Sequence, residues 1–115
     1  MKVAGSAYVV GAMPKPLHPP LEMVTLGAAL HALSDSARLD MVARLHAAER
    51  LNCGGVSPCS TIPKSTLSHH LAVLRAAGLI ETVSAGREKI NTLRREAFEA
   101  RFPGLLATVL ANRDR

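Results

Sequence analysis

The stretch Lys64 to Gly78, Lys-Ser-Thr-Leu-Ser-His-His-Leu-Ala-Val-Leu-Arg-Ala-Ala-Gly, constrains the fold more than any other part of the chain. Leu67, Leu71 and Leu74 recur at i, i+4 and i+7, the spacing of an apolar stripe along one side of an α-helix. Gly78 stands where a left-handed residue closes such a helix. Facing away from the stripe are Lys64, Ser65, Ser68, His69 and Ala72. Short hydrogen-bonding groups, a cation and a small residue at a helix N-terminus suit the major groove of duplex DNA, where they reach phosphates and base edges. A solvated polar face with no partner has the same composition, so the neighbouring segments decide between the two.

The segments ahead of this helix read as further helices. Residues 1–20 contain Gly5, Gly11, Pro14, Pro16, Pro19 and Pro20 and suggest a flexible arm, with Tyr8-Val9-Val10 able to make a short extended contact. A helix is expected over Leu21 to Leu33, apolar on two sides: Leu21, Val24 and Ala28 form one row, and Met23, Leu26, Leu30 and Leu33 another. One small domain struggles to cover both rows, so one of them is expected to meet a second subunit. Ser34-Asp35-Ser36 supplies N-cap chemistry for a second helix ending near Leu51, with Leu39, Val42 and Leu45 facing inward and Arg38, Arg44 and Arg50 on the surface. Asn52-Cys53-Gly54-Gly55 is expected to break it. A short helix from Val56 to Ser60, capped by Ser57, and a turn at Thr61-Ile62-Pro63 then lead into Lys64. Short helix, turn and helix with a polar outer face make a helix-turn-helix pattern.

Beyond Gly78, Leu79 to Ser84 and Glu88 to Leu93 are β-branched segments around Ala85-Gly86-Arg87, a hairpin whose tip carries Arg87 and Lys89. A basic hairpin directly behind a recognition helix reads as a wing able to reach phosphates or a neighbouring minor groove; an edge hairpin with ordinary charged tips is the alternative. Arg94 to Arg115 is expected to be helical and interrupted at Pro103, with Leu105, Leu106, Val109 and Leu110 forming a stripe that joins the first helix in a subunit interface. The expected fold is therefore mainly α, with some β. It is a winged helix-turn-helix with a two-stranded wing and terminal helices paired in a homodimer, and residues 21–115 form its one domain.

Charge agrees with this reading. The formal net charge is +5, and residues 60–115 hold nine Lys or Arg against five Asp or Glu, whereas residues 1–59 hold five against four. The basic excess thus lies in the half that carries the candidate helix, as a polyanion partner requires. With two Phe, one Tyr and no Trp, the chain lacks the aromatic platform on which single strands stack. No run approaches the roughly 18 apolar residues of a membrane span, and no secretory signal opens the chain, so a cytoplasmic protein is expected. Cys53, Cys59, His46 and His69 offer nucleophiles and bases, but no motif joins them to an orienting acid, so an enzyme is not expected.

Ala32-Leu33-Ser34-Asp35-Ser36-Ala37-Arg38-Leu39, followed by Ser65-Thr66-Leu67-Ser68-His69-His70-Leu71-Ala72-Val73-Leu74-Arg75-Ala76-Ala77-Gly78-Leu79-Ile80, resembles the ArsR/SmtB family of winged-helix repressors. The resemblance spans about residues 21–110 and implies a homodimeric autorepressor that binds palindromic double-stranded operators until a small inducer releases it. Carried over residue by residue, it places Lys64, Ser65, Ser68 and His69 at the DNA, while His70 falls on the core side as a structural histidine. With Arg75, Arg87 and Lys89 these make the candidate DNA-contacting set. The chain departs from the metal-sensing members: Cys53 stands where they carry a Cys-x-Cys pair, and the C-terminal helix has no His and a solitary Asp114. No metal site and no cofactor are therefore expected, because a closed site needs three or four converging ligands. Cys53 and Cys59 flank the short helix and either form a thiol sensor or serve as packing and an incidental surface residue. An interaction module of the same fold, with the polar helix face idle, is the alternative function.

Overall fold

Three side-chain caps set where the first helices begin in the computed structural model, which describes residues 18–57 and 62–113. The Thr25 hydroxyl accepts from the Ala28 N–H at 3.0 Å and opens α1 (Leu26–Leu33). The Asp35 carboxylate accepts from the Arg38 N–H at 3.1 Å and opens α2 (Ser36–Ala48). The Asn52 amide oxygen accepts from the Gly55 N–H at 2.8 Å and opens the single-turn α3 (Cys53–Val56). Each cap satisfies a backbone donor that has no partner within its own helix. After α3 come α4 (Lys64–Ala76), β2 (Ile80–Ala85), β3 (Glu88–Leu93), α5 (Arg95–Arg101) and α6 (Leu105–Asn112); β1 (Arg50–Asn52) lies between α2 and α3.

Several boundaries differ from the sequence reading. Leu21 to Leu33 is not one helix: a 3-10 turn at Leu21–Met23 gives way at Val24 to extended backbone, and the Thr25 cap starts α1 anew. The two apolar rows hold in part: Leu21 and Val24 of the first are buried and Met23, Leu26 and Leu30 of the second face out, but Ala28 is exposed and Leu33 is buried, with Ala29 and Ala32 completing the inner face of α1. The second helix stops at Ala48, where Glu49 takes a φ of 72°, and Leu51 belongs to a strand. Arg38, expected on the surface, is buried. Gly54 and Gly55 lie inside α3 because the Asn52 cap and the packing of buried Val56 override their poor helix propensity. Of the expected helix at Val56 to Ser60, Val56 closes α3 and Ser57 is its C-cap; residues 58–61 lie outside the described residues.

The hairpin is present as expected, and a third strand joins it. The antiparallel order is β1-β3-β2, with Leu51 opposite Asn91 and Thr82 opposite Asn91 on the other side. Ala85 faces Glu88 across a two-residue loop in which Gly86 has a φ of 65°. Arg87 has no positive φ, so the loop is of type II′, which matches the strand twist. Below the sheet the core gathers Met41, Val42 and Leu45 of α2, Leu71 and Leu74 of α4, and Leu79 and Ile80. Phe98 and Phe102 join it in a tilted pair with centroids 5.1 Å apart. Pro103 separates α5 from α6 as anticipated.

Cationic side chains secure the chain entering α1. Arg101 donates to the Leu21 and Val24 carbonyls at 3.2 and 3.0 Å, and Arg94 donates to the Pro19 carbonyl at 2.9 Å. His18 Nε2 accepts the Thr82 N–H at 2.9 Å on the free edge of β2. His18 and Pro19 are thus engaged with the domain, and residues 1–17 of the expected arm lie outside the described residues.

Gly78 closes α4 with a φ of 74°, and a Cβ there meets a Leu21 methyl at 2.8 Å. Gly86 also has a positive φ, but a Cβ there meets nothing within 4 Å. Gly86→Ala is expected to cost about 1 kcal/mol from the left-handed backbone alone. Gly78→Ala is expected to cost about 2–4 kcal/mol because Leu21 must also move. Urea unfolding of both variants measures the difference.

Candidate nucleic-acid interface

Burial of Leu71 and Leu74 fixes the rotation of α4 about its axis. With Leu67 partly buried on the same side, the helix turns Lys64, Ser65, Thr66, Ser68, His69 and Ala72 outward. Four of the expected contact residues therefore share the exposed N-terminal part of one helix, and Thr66 is exposed beside them. Pro63 contributes no side-chain cap, so the first N–H groups and Lys64 together make this end of α4 electropositive.

The opposite side of α4 is held by a buried polar cluster. Arg38 donates through Nε to the Ala32 carbonyl at 2.8 Å and through Nη2 to the His31 carbonyl at 3.1 Å, completing the C-terminal end of α1. Its Nη1 lies 3.2 Å from His70 Nδ1 on α4. A guanidinium only donates, so Nδ1 accepts and the neutral ring carries its proton on Nε2, which lies 4.0 Å from Asp35 Oδ2. His70 is thus the structural histidine that its position on the helix implied. The Arg38 backbone N–H holds the Asp35 carboxyl below its ordinary value; desolvation opposes this, and the Arg38 guanidinium charge assists it. One arginine ties three helices together.

The wing places Arg87 and Lys89 in the open. Both line a hollow of about 580 Å³ together with Lys64, Asn52, Cys53, Gly54 and Glu88, so the tip of the wing and the start of α4 share one basic recess. Glu88 is engaged there by the Asn52 amide, which donates to its carboxylate at 2.6 Å. Arg75 stands apart from this set. It is half-buried between α4 and the wing, and its Nη1 donates to Thr82 Oγ1 at 3.3 Å. The Thr82 hydroxyl in turn donates to Asn91 Oδ1 at 2.6 Å, and Asn91 Nδ2 reaches the Leu51 carbonyl at 3.3 Å and Cys53 Sγ at 3.8 Å. Cys53 is a free, half-buried thiol at the first position of α3; Cys59 lies outside the described residues. Among the described residues no three His, Cys, Asp or Glu side chains converge as metal ligands, and no helix is long and apolar enough to cross a membrane.

A short helix, a second helix with its polar face free, and a basic antiparallel hairpin behind it define a winged helix-turn-helix protein of the DNA-binding class. A family model described as a helix-turn-helix domain matches residues 33–83, the segment from the end of α1 into β2. The chain is 39% identical over 79 residues to the uncharacterized HTH-type transcriptional regulator YceK of Bacillus subtilis (strain 168), a match covering 68% of this chain and 79% of that protein. Its fold is similar to the crystal structure of an ArsR family transcriptional regulator, with a TM-score of 0.59 and 21% identity over 77% of this chain and 86% of that one. It is also similar to the transcriptional repressor BigR from Xylella fastidiosa, with a TM-score of 0.54 and 27% identity over 66% of this chain and 78% of that one. The chain belongs to the helix-turn-helix transcriptional regulators, proteins that bind DNA, and it shares the winged-helix fold of the ArsR family regulator.

Two outcomes check the cluster behind α4. Arg38→Met leaves two α1 carbonyls and His70 Nδ1 without their donor, and is expected to lower stability by about 2–4 kcal/mol in urea unfolding. Folding lowers the Asp35 pKa, so its contribution is full above the ordinary value of 3.8 and is lost as pH falls through the lower folded value. Unfolding midpoints from about pH 6 to about pH 3 should therefore fall less steeply for Asp35→Asn than for the parent.

Proposed function

We propose that two copies of the chain pair through α1 and α6 into a homodimer that binds a palindromic operator and represses transcription until an inducer releases it. The observation that carries this reading is the division of α4: Leu71 and Leu74 are buried, while Lys64, Ser65, Ser68 and His69 stand together in solvent beside the basic wing. Lys64, Arg87 and Lys89 supply phosphate contacts, which position a protein on the duplex, and Ser65, Ser68 and His69 supply groups for base edges. Dimerisation is supported by Met23 of the 3-10 turn and Leu26 and Leu30 of α1, which stand exposed, and by the apolar side of α6 at Ala107, Leu110 and Ala111. A two-fold pair sets its recognition helices about one duplex turn apart, ~34 Å, to meet two half-sites. The description of BigR as a repressor agrees with the direction of regulation.

Release is assigned to thiol chemistry at Cys53, together with Cys59. Cys53 lines the same hollow as Lys64, Arg87 and Lys89, so oxidation or persulfidation of its sulfur changes the charge and shape of a surface that DNA must approach.

Binding to DNA upstream of the chain's own gene should weaken as salt rises, because each phosphate contact releases counterions. Lys64→Ala is expected to reduce the slope of log K against log salt by about one, and Ser68→Ala or His69→Ala to cost about 1–3 kcal/mol of operator preference with the dimer intact. Leu30→Glu is expected to give monomers that lose the palindrome. Affinity indifferent to salt and to Lys64 would point to the protein-interaction reading. Operator release by peroxide or polysulfide should disappear in Cys53→Ser.

A further inference from the structure

We propose that the crevice between the second half of α4 and the inner face of the wing binds one tetrahedral oxyanion of the phosphate class, held by Arg75, Lys89 and Ser84. The crevice is lined by Arg75, Thr82, Ser84 and Lys89 and has a volume of about 100 Å³. That is several times the roughly 10–15 Å³ one water requires, and it suits a group of four oxygens around one centre. Its lining is two cations and two hydroxyls, with no carboxylate and no apolar side chain. Strand alternation explains the selection. Ser84 and Lys89 face each other across β2 and β3, and Thr82 lies on the same face one pleat away; Glu81 falls on the other face. Glu88 also falls there and is engaged by Asn52.

Among the described residues neither Arg75 nor Lys89 has a carboxylate partner. Arg75 Nε is a buried side-chain nitrogen with no hydrogen-bond partner among the described residues, where the guanidinium is held by one 3.3 Å bond to Thr82. An unmet buried donor costs about 1–3 kcal/mol, and more where the group is charged. Such a group calls for a partner from outside the fold, an ordered water, an ion or a ligand, and the charge of this crevice favours an anion. The Thr82 hydroxyl spends its own proton on Asn91, so it orients Arg75 as an acceptor and leaves the cations and Ser84 to the anion. A guanidinium presents paired donors that match two oxygens of one phosphate, and the ammonium of Lys89 adds charge from the opposite wall.

Such an oxyanion is either a backbone phosphate of bound DNA or a free phosphate group; the first source rests on the operator-binding reading above, and the second does not. Inorganic phosphate titrated at constant ionic strength into the full chain without DNA, followed by NMR at the Arg75 Nε–H and the Ser84 and Lys89 amides, is expected to give saturable shifts that chloride does not. Arg75→Met should abolish them, and Ser84→Ala, an exposed site safe for folding, should weaken binding several-fold. Operator binding separates the sources. For a backbone phosphate, Arg75→Met lowers the magnitude of the salt slope by about one, and Ser84→Ala weakens the operator at unchanged slope. For a free phosphate, Ser84→Ala binds operator as the parent does, and phosphate alters operator affinity in the parent alone. The proposal is overturned if phosphate produces no shift beyond the chloride control and both variants bind operator like the parent. If the parent binds no operator, the operator reading fails and the phosphate titration alone decides the crevice.

Discussion

Leu71 and Leu74 occupy one side of α4, and Ser65, Ser68 and His69 the other, so whatever buries the first pair dictates what the second set faces. Complete burial of two leucines is worth about 3–6 kcal/mol, far more than any single polar contact on the outer face. Apolar packing is non-directional, however, and tolerates sliding along the helix axis. The bonds from Arg38 to His31, Ala32 and His70 are directional, and they fix α4 against the end of α1. Packing thus sets the rotation of the recognition helix, and the buried guanidinium sets its position.

That division of labour bears on the proposed pairing of two copies. If α1 carries the interface, its C-terminal carbonyls are the nearest rigid reference for the dimer axis, and Arg38 measures α4 directly from them. Distances between two recognition helices then depend on few intervening joints. Such a construction suits half-sites whose spacing is set by the duplex repeat.

Much of this was legible in the sequence. The 3.6-residue period of Leu67, Leu71 and Leu74, the glycine after it and the two β-branched runs around Gly86 located α4 and the wing to within a residue or two. The exposed placement of Lys64, Ser65, Ser68, His69, Arg87 and Lys89 follows from the same periods. What escaped were features decided by tertiary context. Arg38 was placed outside because arginine is mostly exposed, although one that satisfies carbonyls at the end of a neighbouring helix can be buried. Arg50-Leu51-Asn52 is too short to announce itself as a strand and exists because β3 offers a free edge. Paired glycines argued for a break at residues 54 and 55, and a single asparagine cap with Val56 in the core reversed the outcome. Asn91 itself points to a buried polar contact, because it sits between Ile90 and Thr92 in a strand, where asparagine is disfavoured unless its amide has partners.

Those partners explain why the wing has the register it does. Asn91 is fully buried, receives the Thr82 hydroxyl proton, and donates toward Leu51 and Cys53, so it bonds to residues of both neighbouring strands and of α3 at once. A slip of one residue between β2 and β3 would turn Thr82 away and strand the Asn91 amide in the core, at a cost of about 1–3 kcal/mol beyond the lost apolar packing. The hairpin therefore approaches α4 at a fixed height, and the direct pairing of Ser84 with Lys89 follows from the same register. A polar pair that does nothing for hydrophobic burial decides which side chains the wing presents beside the recognition helix. Thr82 and Asn91 do for the wing what Arg38 does for α4.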